Sequence, residues 1–171
     1  VVMNAGAYGG ELSQIVTQVN VVNSEGEIME LDNETMEFGY RTSTIRNNPF
    51  TVTEVILRLE KGDRQQIRER MEELAARRRE KQPLEYPSAG STFKRPAGYY
   101  AGQLIMEAGL RGFQCGGAKV SDKHCGFVIN TGNATAEDVR TLIREIQTRV
   151  KDQFNVNLET EVLFLGWEKN R

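Results

Sequence analysis

The glycine-rich stretch that runs from Pro87 to Gly132 constrains the fold of this chain more than any other segment. It holds nine of the sixteen glycines in the sequence. Glycine adopts left-handed backbone conformations and allows close approach, so this density predicts tight turns. Ser91 follows a glycine directly and precedes the basic pair Lys94 and Arg95. A small-residue turn that presents a hydroxyl beside two cations suits an anionic ligand, although an ordinary Gly/Ser loop has the same composition.

Charge and hydropathy exclude several classes of partner. The chain has 171 residues and a net charge of −2, which favours neither nucleic acid nor an anionic membrane surface. No apolar run approaches the ~20 residues that span a bilayer, and residues 1–10 lack the basic start and apolar segment of a signal peptide. We therefore expect a cytoplasmic monomer without nucleic-acid or membrane partners.

The two cysteines, Cys115 and Cys125, do not form a recognised metal-binding motif. They lack the CxxC spacing, and with His124 they would still need a fourth ligand to complete a zinc site. A chain with few cysteines and no export signal is typical of a reducing compartment. We expect two free thiols and no metal.

Alternation of apolar and polar residues predicts sheet and turns over the first sixty residues. Ile15, Val19 and Val21 predict one strand, and residues 27–31 predict the returning strand of a hairpin. A further strand is predicted to present one face formed by Thr53, Val55, Leu57 and Leu59.

Composition changes sharply near Gly62, where we predict a domain boundary. The helix that follows carries one apolar stripe, at Ile67, Met71 and Leu74, among arginines that neighbouring glutamates nearly neutralise. Such balanced charge is typical of a solvated helix face rather than of a nucleic-acid site. Further helices are predicted over 103–110 and after Thr135, and further strands are predicted over 127–130 and 158–165.

Six segments, taken together and in order, resemble the C-terminal half of the UDP-N-acetylenolpyruvoylglucosamine reductase family. No single segment is diagnostic, but they extend over essentially the whole chain. The segments are Asn4-Ala5-Gly6-Ala7-Tyr8-Gly9, Gly39-Tyr40-Arg41-Thr42-Ser43, Ala89-Gly90-Ser91-Thr92-Phe93-Lys94, Ala108-Gly109-Leu110-Arg111-Gly112, Gly116-Gly117-Ala118 with Ser121 and His124, and Leu158-Glu159-Thr160-Glu161-Val162.

The resemblance implies an FAD- and NADPH-dependent oxidoreductase of peptidoglycan precursor synthesis. In this family NADPH reduces FAD, and flavin N5 delivers hydride to the enolpyruvyl group of UDP-N-acetylglucosamine enolpyruvate. The family's proton donor falls on Ser91, where Lys94 would give electrostatic support. Its active-site arginine falls on Arg41, a permanent cation suited to a carboxylate or a reduced flavin. Its glutamate falls on Glu161, which could supply a proton or a hydrogen bond.

The same resemblance assigns binding roles. Tyr40 neighbours Arg41 and is expected to line the same pocket. Arg95 stands where the best-known members carry an asparagine, and His124 stands where they carry a glutamine. The short spacing between Arg41 and Ser91 leaves no room for the family's substrate-covering tyrosine loop. Cofactor-binding residues are then Asn4, Ala5, Gly6, Tyr8 and Gly9, and substrate-binding residues are Tyr40, Lys81, Lys94, Arg95 and His124.

The implied fold is α+β in two parts. Residues 1–62 would complete an FAD-binding α+β domain whose N-terminal half is absent, and 63–171 would form a smaller α+β substrate-binding domain. Because the chain opens on an apolar, strand-like segment, we expect it to be the C-terminal portion of something longer. The pyrophosphate-binding loops would lie in the missing half, so FAD is not expected to be retained and the isolated chain is expected to be inactive.

Other interpretations remain open at this point. Ser91 with His124 and Asp122 would make a serine hydrolase triad, although the segment lacks the second glycine of a nucleophile elbow. A module that binds a nucleotide sugar without redox activity is the second alternative. In purely structural interpretations Ser91 is a turn residue, Arg41 a surface residue and Glu161 a charge at the edge of a sheet.

Overall fold

The computed structural model describes residues 1–167, and in it the chain forms two compact units. The first comprises Val1–Arg64 and the second begins at Gln65. Each contains helices together with antiparallel sheet, so the α+β class predicted for the chain is confirmed.

A three-stranded antiparallel sheet forms the centre of the first unit. Its strand order is β4-β3-β5, and its core consists of buried aliphatic side chains with Met36. The predicted hairpin is confirmed, since β3 and β4 pair from Gln18 with Asp32 to Val22 with Ile28. The elements are β1 (Gly6–Ala7), β2 (Gly10–Glu11), a 3-10 turn (Leu12–Gln14), β3 (Val16–Val22), β4 (Ile28–Asp32), α1 (Thr44–Asn47) and β5 (Thr51–Leu57).

The predicted face of strand β5 is wrong. The register with β3 shifts between Asn20 and Val21, which is a β-bulge. A bulge inserts one residue into the ladder and reverses the side-chain alternation beyond it. As a result Val52 and Val55 are the partly buried residues of β5, and Leu59 lies beyond its end and is 70% exposed.

The helix predicted after Gly62 is observed as α2 (Arg64–Lys81), but its apolar stripe does not enter a core. Ile67 is 49% exposed and Met71 is 66% exposed, and no residue of the helix is buried. Charged pairs three and four residues apart, such as Arg70–Glu73 and Arg77–Glu73, line its surface. These pairs stabilise a helix locally by a few tenths of a kcal/mol each.

A four-stranded antiparallel sheet, in the order β6-β9-β8-β7, forms the base of the second unit. Helix α4 contacts β7, β8 and α3. The predicted strand at 127–130 is confirmed as β9. The elements after α2 are β6 (Ser88–Ser91), α3 (Ala101–Glu107), β7 (Gln114–Cys115), β8 (Ala118–Val120), β9 (Phe127–Asn130) and α4 (Ala136–Phe154).

Helix α4 begins where the sequence predicts. Thr135 accepts the backbone N–H of Asp138 while Asp138 accepts the N–H of Thr135, which is a capping box. Because Asp138 also accepts the N–H of Gly117, these backbone donors hold the pKa of its carboxyl below the usual value. The helix buries side chains at helical spacing against the sheet, namely Leu142, Ile143, Ile146 and Val150.

The strand predicted over 158–165 is wrong. Only Thr160 forms a β-bridge, with Phe93, and the backbone bends from Glu161 onward. Gly90 has a φ of +80° and the register of β6 shifts between Ser88 and Ser91. This irregular backbone falls opposite the residues that would have extended the ladder. The apolar side chains that follow are therefore outside any sheet, and Leu163 and Leu165 are 75% and 86% exposed.

Candidate functional site

Of the residues predicted to bind the cofactor, four belong to or flank the hairpin of β1 and β2. Gly6 pairs with Glu11 and Ala7 pairs with Gly10, so the two-residue loop is Tyr8-Gly9. Both loop residues have positive φ, +53° and +85°. This geometry is that of a tight hairpin turn in which both central residues are left-handed. The turn is exposed, and a Cβ added at Gly9 would meet no atom within 4 Å.

Asn4 connects this hairpin to the segment that begins at Gly39 and carries Arg41. The side chain is buried, and its Oδ1 accepts the backbone N–H of Ser13 at 2.8 Å. Its Nδ2 donates to the carbonyl of Gly39 at 3.2 Å. Asn4 has a φ of +42°, a conformation that asparagine tolerates better than most residues. The hairpin and the segment that carries Arg41 are thereby held together.

Arg41 is held against the hairpin in a left-handed conformation. Its φ is +54°, and its Nη2 donates to the carbonyl of Gly6 at 3.4 Å. The carbonyl of Arg41 accepts from Arg46 at 2.8 Å, and its guanidinium lies 5.1 Å from the ring centroid of Tyr40. A non-glycine residue in this region costs roughly 1–2 kcal/mol, and such strain concentrates at functional sites.

In the second unit, Ser91 and Glu161 lie on neighbouring segments. The N–H of Glu161 donates to the carbonyl of Thr92 at 2.9 Å, and the N–H of Lys94 donates to the carbonyl of Glu159 at 2.9 Å. On its other side Ser91 pairs with Phe127 of β9. Ser91 is exposed, and its hydroxyl makes no hydrogen bond within residues 1–167. Ser91, the predicted proton donor, is therefore next in sequence to Thr92, the residue to which the backbone of Glu161 is hydrogen-bonded.

The two basic residues after Ser91 have different surroundings. Lys94 is mostly buried and its Nζ lies 2.8 Å from the carboxylate of Glu159. The two groups form an ion pair, so the carboxylate partly offsets the positive charge of Lys94. Arg95 is exposed, and its guanidinium stacks on the ring of Tyr100 at 4.0 Å. Such a stack orients the guanidinium without neutralising it. Glu159 and Tyr100 were not predicted from the sequence.

Lys81 and His124 lie on two further segments of this unit. Lys81 is the last residue of α2 and is exposed. The Nδ1 atom of His124 accepts the backbone N–H of Gly126 at 3.1 Å, and its ring packs edge-on against Phe127. Burial lowers the pKa of His124, which keeps the imidazole neutral near pH 7.

Thr92 and Lys123 make contacts in this unit that were not singled out from the sequence. The buried Thr92 hydroxyl accepts the N–H of Val128 at 3.0 Å, which fixes β6 against β9 beside Ser91. Lys123 donates to the carbonyl of Arg79 at 2.8 Å. The pattern Ser121-Asp122-Lys123-His124 indicates only the local turn that carries Lys123, because serine hydroxyls accept backbone N–H groups two and three residues on.

The serine hydrolase interpretation does not fit this geometry. A triad requires the Nδ1 of its histidine to donate to the aspartate. Here the Nδ1 of His124 accepts from Gly126, and Asp122 pairs with Lys119 at 2.6 Å.

The zinc interpretation finds no support in residues 1–167, where no cluster of three metal-binding side chains occurs. Both cysteines are free, and burial raises the pKa of each thiol, which keeps it protonated.

An apolar groove of about 490 Å³ lies beside this site. It runs between β6, β9 and α4 and is lined by Ser88, Thr92, Val139 and Val162 among others. Ser91, Lys94 and Glu161 are not among its lining residues. The groove is therefore adjacent to the candidate residues and does not contain them.

Comparison with known proteins identifies the family. The family model of the UDP-N-acetylenolpyruvoylglucosamine reductase C-terminal domain matches residues 82–165. The reductase of that name from Lachnoclostridium phytofermentans is 53% identical over 170 residues, which are 99% of this chain and 55% of that protein. The one from Clostridium tetani is 53% identical over 167 residues, 98% of this chain and 54% of that protein. The chain belongs to this reductase family.

The structural comparison agrees with this membership. The crystal structure of the UDP-N-acetylenolpyruvylglucosamine reductase from Thermus caldophilus superimposes with a TM-score of 0.79 at 36% identity, over 94% of this chain and 56% of that one. This chain thus spans about half the length of the curated relatives it matches. Within the part of the chain that the structure describes, no helix is long and apolar enough to cross a membrane.

Proposed function

We propose that this chain is part of a UDP-N-acetylenolpyruvoylglucosamine reductase that converts UDP-N-acetylglucosamine enolpyruvate to UDP-N-acetylmuramate in the cytoplasm. The observation that carries the proposal is the pairing of residues 91–94 with 159–161, which gathers a hydroxyl, a carboxyl and two cations on neighbouring segments. The C=C bond of the substrate must gain one hydride and one proton, next to a carboxylate. A hydroxyl with cationic support suits delivery of that proton.

The residues of the first unit fit one side of a flavin site. The hairpin at Tyr8-Gly9 offers exposed backbone groups and an aromatic ring, and the permanent charge of Arg41 is held beside it. FAD, reduced by NADPH, supplies the hydride when it is bound. Residues 1–62 are thus proposed as the end of a cofactor domain and 63–171 as the substrate domain.

Within this proposal Ser91 holds and delivers the proton. Its hydroxyl is exposed and has no internal hydrogen-bond partner within residues 1–167, so it is available to a substrate. Thr92 fixes the backbone next to it through the bond to Val128. Lys94 lowers the cost of negative charge near the hydroxyl, although its ion pair with Glu159 shares that effect.

Arg41 and Glu161 are proposed to act on charge that develops at the substrate. Arg41 neutralises a carboxylate or an anionic flavin edge, because its guanidinium cannot lose its proton. Glu161 donates a proton or a hydrogen bond to the substrate from the segment beside Thr92. Binding of the nucleotide sugar is assigned to the remaining substrate residues, namely Tyr40, Lys81, Lys94, Arg95 and His124.

A second candidate function is binding of the nucleotide sugar without redox chemistry by the chain as it stands. The observation that favours this candidate is that the chain spans only 55% of the length of the Lachnoclostridium phytofermentans reductase. Purified chain that binds UDP-N-acetylglucosamine enolpyruvate but shows no flavin absorbance would support this candidate.

The proposal is tested by Ser91→Ala in the longer reductase that carries this sequence, followed by stopped-flow absorbance. Flavin bleaching by NADPH should proceed at a near-normal rate, because it needs no proton donor at the substrate carbon. Reoxidation by UDP-N-acetylglucosamine enolpyruvate should slow by roughly 10²–10⁴. Equal slowing of both phases, or of neither, would refute the role of Ser91.

A further inference from the structure

A compact turn at Ser121–Gly126 holds His124 in place. The buried hydroxyl of Ser121 accepts the backbone N–H groups of Lys123 at 3.2 Å and His124 at 3.3 Å. At the base of the turn, the carbonyl of Phe127 accepts the N–H of Ser121 and the carbonyl of His124 accepts the N–H of Phe127. Each of these bonds uses groups of the turn itself or of β9. The backbone of the turn therefore has one defined conformation.

The imidazole of His124 is fixed as well. Its Nδ1 accepts from the N–H of Gly126, so in the neutral ring the proton is on Nε2. Gly102 and Gly126 leave room for the ring, because a Cβ at Gly126 would lie 2.9 Å from its Cε1 and one at Gly102 would lie 3.3 Å away. The Nε2–H has no hydrogen-bond partner within residues 1–167. The turn therefore presents one neutral donor, the same kind of group as a side-chain amide N–H.

Lys123 connects this turn to the end of α2. Its Nζ donates to the carbonyl of Arg79 at 2.8 Å and lies 3.5 Å from the carboxylate of Glu85. The last four carbonyls of a helix have no intrahelical partner, and a cation there also compensates the negative end of the helix dipole. Lys81 is the last residue of the same helix. The side chain of Lys123 thus joins the segment that carries Lys81 to the residue that precedes His124.

We propose that Lys123 is a positioning residue, which fixes the His124 turn against the end of α2 so that Lys81 and His124 bind one diphosphate-bearing ligand. A cation and a neutral donor together match the oxygens of a nucleoside diphosphate. The negative end of the α2 dipole opposes an anion at this place, and the charges of Lys81 and Lys123 offset it. The inference rests on the proposed function, since it concerns the nucleotide part of the proposed substrate.

The histidine itself is the first probe, because the chain contains only one. Its two ring nitrogens can be observed by long-range ¹H–¹⁵N correlation without assignment of other residues. We expect a single tautomer with the proton on Nε2 in the unliganded chain. In Lys123→Met the tautomer should stay the same, because the bond from Gly126 to Nδ1 lies within the turn. Any loss of ligand binding in this variant then does not come from a collapsed turn.

The second measurement is calorimetric titration of the chain with UDP and with uridine, which lacks the diphosphate. Lys123→Met should weaken UDP binding about tenfold, which corresponds to roughly one charge-assisted hydrogen bond, and Lys123→Arg should recover it. Lys151→Met is the matched control, since it also removes a lysine that donates to a carbonyl at the end of a helix, here that of Asn155.

The outcomes separate the two proposals. Binding of UDP by the wild-type chain that weakens in Lys123→Met and recovers in Lys123→Arg, with the histidine tautomer retained, supports both. If Lys123→Met binds UDP as wild type does, or if Lys151→Met weakens binding equally, the positioning role is overturned and the substrate site stands. If the wild-type chain binds UDP no better than uridine, the diphosphate site fails and the role of Lys123 fails with it.

Discussion

Replacement of Thr92 by valine tests whether the strand that carries Ser91 is held by a single buried hydroxyl. Thr92 is 3% exposed and its Oγ1 accepts the N–H of Val128 at 3.0 Å. Valine keeps nearly the same shape but cannot accept a hydrogen bond. The backbone bonds from Thr92 to Gly126 and from Glu161 to Thr92 do not involve the side chain and are retained.

The expected cost follows from the group that loses its partner. The N–H of Val128 would be buried without an acceptor, and such a loss typically costs about 1–3 kcal/mol. We expect the free energy of unfolding of the second unit to fall by about 2 kcal/mol, a factor of roughly 30 in its unfolding equilibrium. Thr131→Val is the matched control in the same unit, because the exposed Thr131 hydroxyl donates to the carbonyl of Gly117, which keeps the backbone N–H of Thr131 as a donor. Its effect should stay within about 0.5 kcal/mol.

The assay is urea unfolding followed by the fluorescence of the only tryptophan. Trp167 stacks on Arg140 of α4 at 4.3 Å, so its emission reports on the second unit. Hydrogen exchange of the Val128 amide should accelerate in Thr92→Val. If Thr92→Val and Thr131→Val cost the same, or if the Val128 amide remains as protected as in wild type, the hydroxyl does not hold this strand and the reasoning is refuted.

Three further predictions concern chemistry, cofactor and pH. Glu161→Gln in the longer reductase should slow substrate reduction while urea unfolding stays unchanged, and equal turnover across pH would leave Glu161 a structural residue. Titration of this chain with FAD should show weak binding or none, because the chain spans about half the length of the relatives it matches. Tight stoichiometric binding would show that these 171 residues suffice to hold the cofactor. The pKa of Asp138 is lower in the folded chain than in the unfolded chain. Its carboxylate therefore stabilises the folded chain at pH values above the unfolded pKa, and this stabilisation is lost as pH falls through the folded pKa. Asp138→Asn should therefore flatten the loss of stability below about pH 4, and identical acid profiles would exclude this linkage.

The first hairpin, the helices α2 and α4, the strand β9 and the family could be derived from the sequence, because they depend on local patterns. Apolar residues at helical spacing behind Thr135 predict α4 and its start, and the alternation around Val19 predicts the first hairpin. The family is confirmed by the comparisons. It could be recognised because each of the six segments is a short run that does not depend on distant residues.

Pairing between distant segments could not be derived in this way. The bulge between Asn20 and Val21 reverses the face of β5, and the left-handed backbone at Gly90 interrupts the edge on which residues 158–165 would have continued the ladder. A bulge changes which face the following side chains occupy by inserting one residue, and the alternation within a strand does not show where its pairing will be irregular.

The candidate site shows the same division. The family resemblance made Arg41 and Glu161 candidates, and Ser91 was also singled out by its place between a glycine and a basic pair. The ion pair of Lys94 with Glu159, the stack of Arg95 on Tyr100 and the bond from Lys123 to Arg79 appear only in the folded chain. These partners are 5 to 65 residues apart in sequence, and tertiary packing alone decides which charges meet, because charged side chains are long and pair with whatever the fold brings within reach.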